Sequence, residues 1–269
     1  MKCLFDILKT EPDYARLLKS VQNGELPIAA NGLSQVHKAV VLSAINKQAG
    51  KKLFVITHDE PSAISMQEDF VGLGLEALVL QSRDYNLTRM AGYSKEYEHK
   101  RIHTLSRILD GAFDVVVIPV DAAVQHTVPP SVLKKNIINI AVGDCYRMTD
   151  LCAALIEAVY TRSELCDGVG QFAARGGILD VFATGSDAPV RIEFWGDEVD
   201  NISYYDVESQ RRTDSAEDIK IFPANELPFN AAELSKKLEQ YLVGCAYNRV
   251  DIKNAIGNLE VCDDILTMI

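Results

Sequence analysis

The sequence has no CxxC pair, and no histidine at metal-ligand spacing from a cysteine. Its six cysteines, Cys3, Cys145, Cys152, Cys166, Cys245 and Cys262, are scattered. Reduced thiols, no disulfide and no zinc are therefore expected. Cys152 falls in a helical apolar pattern and reads as a small hydrophobe. Positive charge is scarce: 27 Lys and Arg stand against 38 Asp and Glu, a formal net charge of −11. That balance argues against a nucleic-acid surface, because phosphate contacts come from Lys and Arg clusters. The best local basic stretch, Lys95 to Arg107, interleaves its cations with Glu96 and Glu98. Long apolar runs are missing too; none approaches the ~20 residues that span a bilayer. The opening MKCLFDILKTEPDYARLL lacks a basic leader, a sustained apolar core and a small-residue cleavage site. No membrane association and a cytoplasmic location are expected. His58, His99, His103 and His126 have no Ser or Cys in a nucleophile context, and Ser34 has no GxSxG setting. His99 and His103 form an i, i+4 pair without a third ligand or an HExxH pattern, and read as surface histidines. No cofactor is expected.

What is present is ordinary globular material: 48% hydrophobic and 24% charged residues over 269 positions, enough for one large or two modest domains. Thr10 reads as the N-cap of a helix whose stripe is Tyr14, Leu17, Leu18 and Val21. Leu26 to Ala30 reads as a short buried strand, followed by a helix through Ala49. Strands are expected at Lys52 to Thr57, Glu76 to Leu80 and Asp114 to Ile118. Helices are expected from Pro61 to about Leu73, from Tyr97 to Leu109 and, briefly, from Asp121 to Gln125. Strands alternating with helices predict a parallel α/β sheet. Pro129-Pro130 ends that pattern. From Ile137 onward the chain reads α+β, with a helix at Thr149 to Tyr160, a strand at Ile219 to Pro223 expected to rejoin the first sheet, and helices at Ala231 to Val243 and Tyr247 to Met268. There are no internal repeats.

Gly168 to Tyr205, GVGQFAARGGILDVFATGSDAPVRIEFWGDEVDNISYY, shows period-two alternation broken by turn residues. It predicts an antiparallel meander ending near Gln210. Val190 to Trp195 is the informative strand. Val190, Ile192 and Phe194 share one face; Arg191, Glu193 and Trp195 share the other. The only tryptophan thus lies among charges. Two readings stand: Trp195 tucks into a neighbouring loop, or it anchors a protein interface, the setting in which Trp and Arg are enriched.

The runs FAARGGILDVF, PVRIEFWGDEVDNI and YDVESQR resemble the second domain of the nucleotide-excision-repair protein UvrB. They are more similar still to the UvrB-homologous N-terminal module of bacterial transcription-repair coupling factors. The resemblance implies an outer α/β domain, residues 1–127 and 216–269, with an inserted domain at 128–215 that docks onto UvrA. It implies a UvrA-binding set of Arg175, Arg191, Glu193 and Trp195. Arg191 would meet a UvrA carboxylate, Glu193 a basic residue, and Trp195 would supply buried area. It also implies that the chain is a fragment. RNA polymerase, DNA and ATP-driven translocation would belong to the rest of the longer protein.

Gly32 to Ala39 sits where a P-loop would. Against the template GxxxxGK[ST], Gly32 and Lys38 fit, but His37 replaces the second glycine and Ala39 the Mg²⁺-binding hydroxyl. No Walker B acid pair follows Asp114 to Ile118, and Asp59-Glu60 reads as an acidic helix start. The expected fold is therefore a degenerate P-loop-NTPase-like parallel sheet with an inserted α+β domain, and the expected function is a non-catalytic adaptor that recruits UvrA to stalled transcription complexes. The alternative is a DNA-binding, lesion-recognising part of UvrB itself, which would keep an intact P-loop and a long aromatic hairpin. Here the corresponding stretch, Ser82 to Glu98, is short. Its Tyr85, Tyr93 and Tyr97 could stack on bases or, as we read them, pack a shortened loop. A second rival, a free-standing nucleotide enzyme, would have to bind ATP despite His37 and Ala39.

Overall fold

The computed structural model describes residues 2–83 and 96–226. These fall into two compact units, one formed by residues 2–83 and 104–126, the other by residues 96–103 and 127–226. Together they are mixed α/β, with one parallel sheet and two antiparallel-containing sheets among the described residues.

The first unit opens with α1 (Lys2–Leu8), which the sequence pattern did not single out, and α2 (Pro12–Asn23). Thr10 does not cap α2: Glu11 holds that position without a side-chain bond, while the Thr10 hydroxyl donates 2.6 Å back to the Ile7 carbonyl. Tyr14 is buried with Phe5, Ala44 and Ile45, and Leu17, Leu18 and Val21 pack around them as the helical stripe requires. The expected strand at Leu26 to Ala30 does not form. These residues are unpaired coil, with Leu26 exposed. Pro27 has no N–H for a ladder, so an apolar run of this length lacks the bonds that would hold it beside a neighbour.

The remaining elements are α3 (Gln35–Ala49), β1 (Leu53–Thr57), α4 (Glu60–Gly72), β2 (Ala77–Val79), α5 (Glu96–Leu109), β3 (Val115–Pro119) and α6 (Val120–Ala123). The strands make a three-stranded parallel sheet in the order β1-β3-β2. Val115, Val116 and Val117 on the central strand are all fully buried, as a strand covered on both faces demands. Ala39, Ala63, Met66 and Phe70 pack against one face, Leu105 and Ile108 against the other. Asp59 caps α4, accepting the Ser62 N–H at 2.9 Å, which accounts for the acidic pair there as a helix start.

The second unit takes the N-terminal part of α5, where Arg101 and Glu226 form a buried ion pair and Asn225 donates to Glu98 at 2.9 Å. Pro129-Pro130 does more than end a pattern. Pro130 opens α7 (Pro130–Lys135), at a helical position where a missing N–H costs nothing. Then come β4 (Ile138–Ala141), α8 (Met148–Glu157), β5 (Thr161–Arg162), β6 (Gln171–Arg175), β7 (Ile178–Val181), β8 (Val190–Trp195), β9 (Glu198–Tyr205), β10 (Arg212–Ala216) and β11 (Asp218–Ile221). Six of these form one sheet in the order β10-β9-β8-β7-β6-β5. The meander therefore runs one strand beyond Gln210. The strand expected to rejoin the parallel sheet instead pairs antiparallel with β4, Ile219 opposite Ile140. The helices expected beyond Ala231, and Tyr85 and Tyr93, lie outside the described residues.

One face of the large sheet carries the core. Phe172, Leu179, Val181, Val190, Ile192, Val199 and Ile202 are fully buried there, with Leu151 and Leu155 of α8 and Ile140 and Ile221 of the two-stranded pair. A smaller cluster, Cys166, Ala173 and Phe182, lies apart from it. The Cys166 thiol donates to the Gln171 carbonyl at 3.3 Å, and burial pushes it up to about 12. Cys145, by contrast, is exposed. In the native protein a thiolate-selective alkylating reagent should modify Cys145 readily and leave Cys166 untouched until denaturant is added, read by peptide mass spectrometry. Equal labelling of the two would contradict this placement.

Candidate protein-docking face

The opposite face of the six-stranded sheet is assembled by register. Ala173 pairs with Asp180, Asp180 with Arg191 and Arg191 with Ser203; one step along, Arg175 pairs with Ile178, Ile178 with Glu193 and Glu193 with Asn201. Polar side chains from four adjacent strands therefore share one surface. All four residues singled out in the sequence, Arg175, Arg191, Glu193 and Trp195, belong to it or to its rim.

Their environments differ sharply. Trp195 is 83% exposed and lies at the end of β8, where the hairpin turns through Gly196. It does not tuck into a loop. A register shift between Glu193 and Phe194 leaves Asp200 of β9 as the extra residue opposite them. The hairpin tip is braced from the side: Tyr146 N–H donates to Asp197 O at 2.8 Å, Gly143 N–H to Val199 O at 2.8 Å, and Val199 N–H to Asp144 O at 2.8 Å. A second brace comes from the β6–β7 turn, where a Cβ on Gly177 would lie 2.9 Å from the Phe194 carbonyl. Only glycine lets the two backbones approach this closely. Trp195 is thus an exposed aromatic on a fixed mount.

Arg191 is not a free arm. Its Nε donates to Asp180 Oδ1 at 2.7 Å and its Nη2 to Asp180 Oδ2 at 2.8 Å, with a further bond to Gln210 Oε1 at 3.2 Å. The guanidinium lies over the Tyr205 ring, 4.5 Å from its centroid. The bond to Asp180 holds the guanidinium's pKa above its already high value. The side chain is only 15% exposed. Where an open fork for a partner's carboxylate was expected, register sets Asp180 directly opposite Arg191, and in this chain that carboxylate takes the fork. Arg175 also reaches Asp180, Nη2 to Oδ2 at 3.2 Å, but keeps 54% of its side chain exposed. Glu193 is engaged as well, accepting from Arg212 and, at 3.2 Å, from Asn201.

Comparison with known proteins bears on this face. Residues 138–227 match the family model of the UvrB interaction domain. The matched span starts at β4, contains the whole six-stranded sheet and ends just past β11. Over 91% of its length the chain is 29% identical to a transcription-repair-coupling factor of Bacillus subtilis, and over 71% it is 29% identical to that of Haemophilus influenzae. Over 83% it is 25% identical to the coupling factor of Escherichia coli. The chain spans about a fifth of the length of these curated relatives, 21%, 17% and 19% respectively.

Within the span that matches the UvrB interaction domain, several residues of the face went unnoticed in the sequence: Asp180, Tyr205, Gln210 and Arg212. Asp180 carried a signal, since it shares with Ile178 the side of β7 opposite Leu179 and Val181. Recognising it as the partner of Arg191 needs the strand pairing, which alternation alone does not supply.

The loop compared with a P-loop is built differently from a phosphate cradle. Ser34 caps α3, accepting the His37 N–H at 3.5 Å, and its hydroxyl lies 3.1 Å from the His37 ring. Gly32 is left-handed, at φ +80°. His37 and Lys38 point into solvent, and Ala39 is buried against α4. No strand leads into it, so the strand–loop–helix setting that a P-loop requires is missing here.

Proposed function

We propose that the chain acts as a non-catalytic adaptor that recruits UvrA through the end of its six-stranded sheet's polar face that bears Trp195 and Arg175, as part of transcription-coupled nucleotide excision repair. The observation that carries this reading is Trp195: a single, 83% exposed tryptophan held on a doubly braced hairpin, inside the span that matches the UvrB interaction domain. A large aromatic is costly to leave in water and is a frequent anchor of interfaces. Arg175, with half its side chain in solvent, supplies the neighbouring cation for a partner carboxylate. Trp195 and Arg175 are the contact pair of this proposal, while Arg191 and Glu193 hold the surface in shape. The inserted module extends through β11, because β4 and β11 pair at its two ends. RNA polymerase and DNA are proposed partners of a longer protein, not of this face.

Titrating UvrA into the chain by calorimetry tests the reading directly, with wild type beside Arg175→Ala and Trp195→Ala. Saturable binding by the wild type and weakening by each variant is the expected pattern. Binding that neither substitution affects would move the site elsewhere.

The loop at Gly32 to Ala39 is proposed to neither bind nor hydrolyse ATP, since His37 and Ala39 stand where a close-approach glycine and a Mg²⁺ ligand belong. Equilibrium dialysis with ATP and Mg²⁺ should show no retention at millimolar nucleotide. Saturable retention abolished by Lys38→Ala would refute this.

A further inference from the structure

Asp180 is a charged residue with 1% of its side chain exposed, placed in the middle of a face proposed to meet another protein. A carboxylate in such a place is expensive unless fully compensated. Here the compensation is specific. Three donors converge on its two oxygens: Nε and Nη2 of Arg191, and Nη2 of Arg175. Two guanidiniums share one carboxylate, so the cluster keeps one net positive charge, with Arg191 held at both ends of its fork and Arg175 by one bond. Arg191 is pressed between Asp180, Gln210 and the Tyr205 ring. Tyr205 is anchored beneath it, donating to the Cys166 carbonyl at 3.0 Å. Only Arg175 extends from this base into solvent.

We infer that Asp180 is the positioning residue of the docking face: it touches no partner itself, but fixes Arg191 as a platform and aims Arg175 at an acidic side chain of the partner. The inference rests on the adaptor reading above. It makes a prediction that simple charge counting reverses. Asp180→Asn adds one positive charge to the face and nearly preserves shape. If charge alone attracted an acidic partner, the variant would bind more tightly. If Asp180 positions the arginines, the variant loses the geometry and binds more weakly.

The experiment measures association and dissociation rates of UvrA on the immobilised wild type, Asp180→Asn and Arg191→Lys, with side-chain ¹⁵N spectra of the arginine Nε–H groups. Positioning predicts a dissociation rate at least tenfold higher in both variants, an association rate unchanged or faster, and, in Asp180→Asn, loss of the slowly exchanging Nε–H signal of Arg191. Arg191→Lys keeps the charge, loses the fork, and serves if Asp180→Asn fails to fold. Wild-type dissociation rates in the variants, or tighter binding by Asp180→Asn, would overturn the inference and leave the adaptor reading standing. Absence of binding by the wild type would overturn both.

Discussion

Trp195→Ala is expected to weaken UvrA binding by about 2 kcal/mol or more, roughly thirtyfold in affinity, and to leave thermal stability almost unchanged. The two halves of that expectation have separate causes. The side chain is 83% exposed in the free chain, so truncating it removes little area buried on folding. In a complex the same indole would be covered, and its loss would forfeit that burial. The mount survives the substitution, because the bonds that brace the hairpin are all made by backbone groups of Tyr146, Asp197, Gly143, Val199 and Asp144. Differential scanning calorimetry beside the binding titration separates the effects. A large fall in melting temperature would show that the indole is structural.

Three residues earlier on the same strand the expectation inverts. Ile192 is fully buried, pairs with Leu179 on β7 and Ile202 on β9, and lies at the centre of the main core. Ile192→Ala should cost about 2–5 kcal/mol, the usual range for emptying a tightly packed aliphatic site. Against a whole-domain stability of about 5–15 kcal/mol, that is a large fraction. Chemical denaturation followed by far-ultraviolet circular dichroism is the suitable readout, because the exposed Trp195 reports little of the core. Folded Ile192→Ala molecules should still dock, since the polar face is intact. An Ile192→Ala midpoint equal to that of the wild type would contradict the core placement.

Arg191→Ala is the poorer test of docking, although Arg191 looks like a contact residue in the sequence. Removing it strips Asp180 of two of its three donors in a buried position, a change that typically costs about 3 kcal/mol or more. Any loss of binding would then be confounded with loss of fold. Trp195→Ala is free of that difficulty, and Arg175→Ala removes only one of the three donors.

Alternation made β8 legible to the residue and put Arg191, Glu193 and Trp195 on one side, because a strand's side-chain period is a local property. The β6–β7 and β8–β9 turns were legible for the same reason, from Gly176-Gly177 and Gly196-Asp197. What could not be read locally was pairing. β11 bonds to β4 with the whole six-stranded sheet between them in sequence, and nothing in Ile219 to Ile221 distinguishes that partner from a strand of the parallel sheet. The consequence for function was larger still: without the register of β7 against β8, Arg191 looks like an open fork, and only the pairing reveals that Asp180 already fills it. Leu26 to Ala30 failed for another reason. Its composition is that of a buried strand, but Pro27 removes a ladder donor and no neighbour receives it.

The central claim is that this chain binds UvrA through the face that bears Trp195. Calorimetric titration of UvrA into the wild-type chain, run beside Trp195→Ala, tests it most directly. The account predicts saturable binding by the wild type and roughly thirtyfold weaker binding by a variant of unchanged melting temperature. Wild-type and variant curves that superimpose, or a wild type that releases no heat and forms no complex, would contradict it.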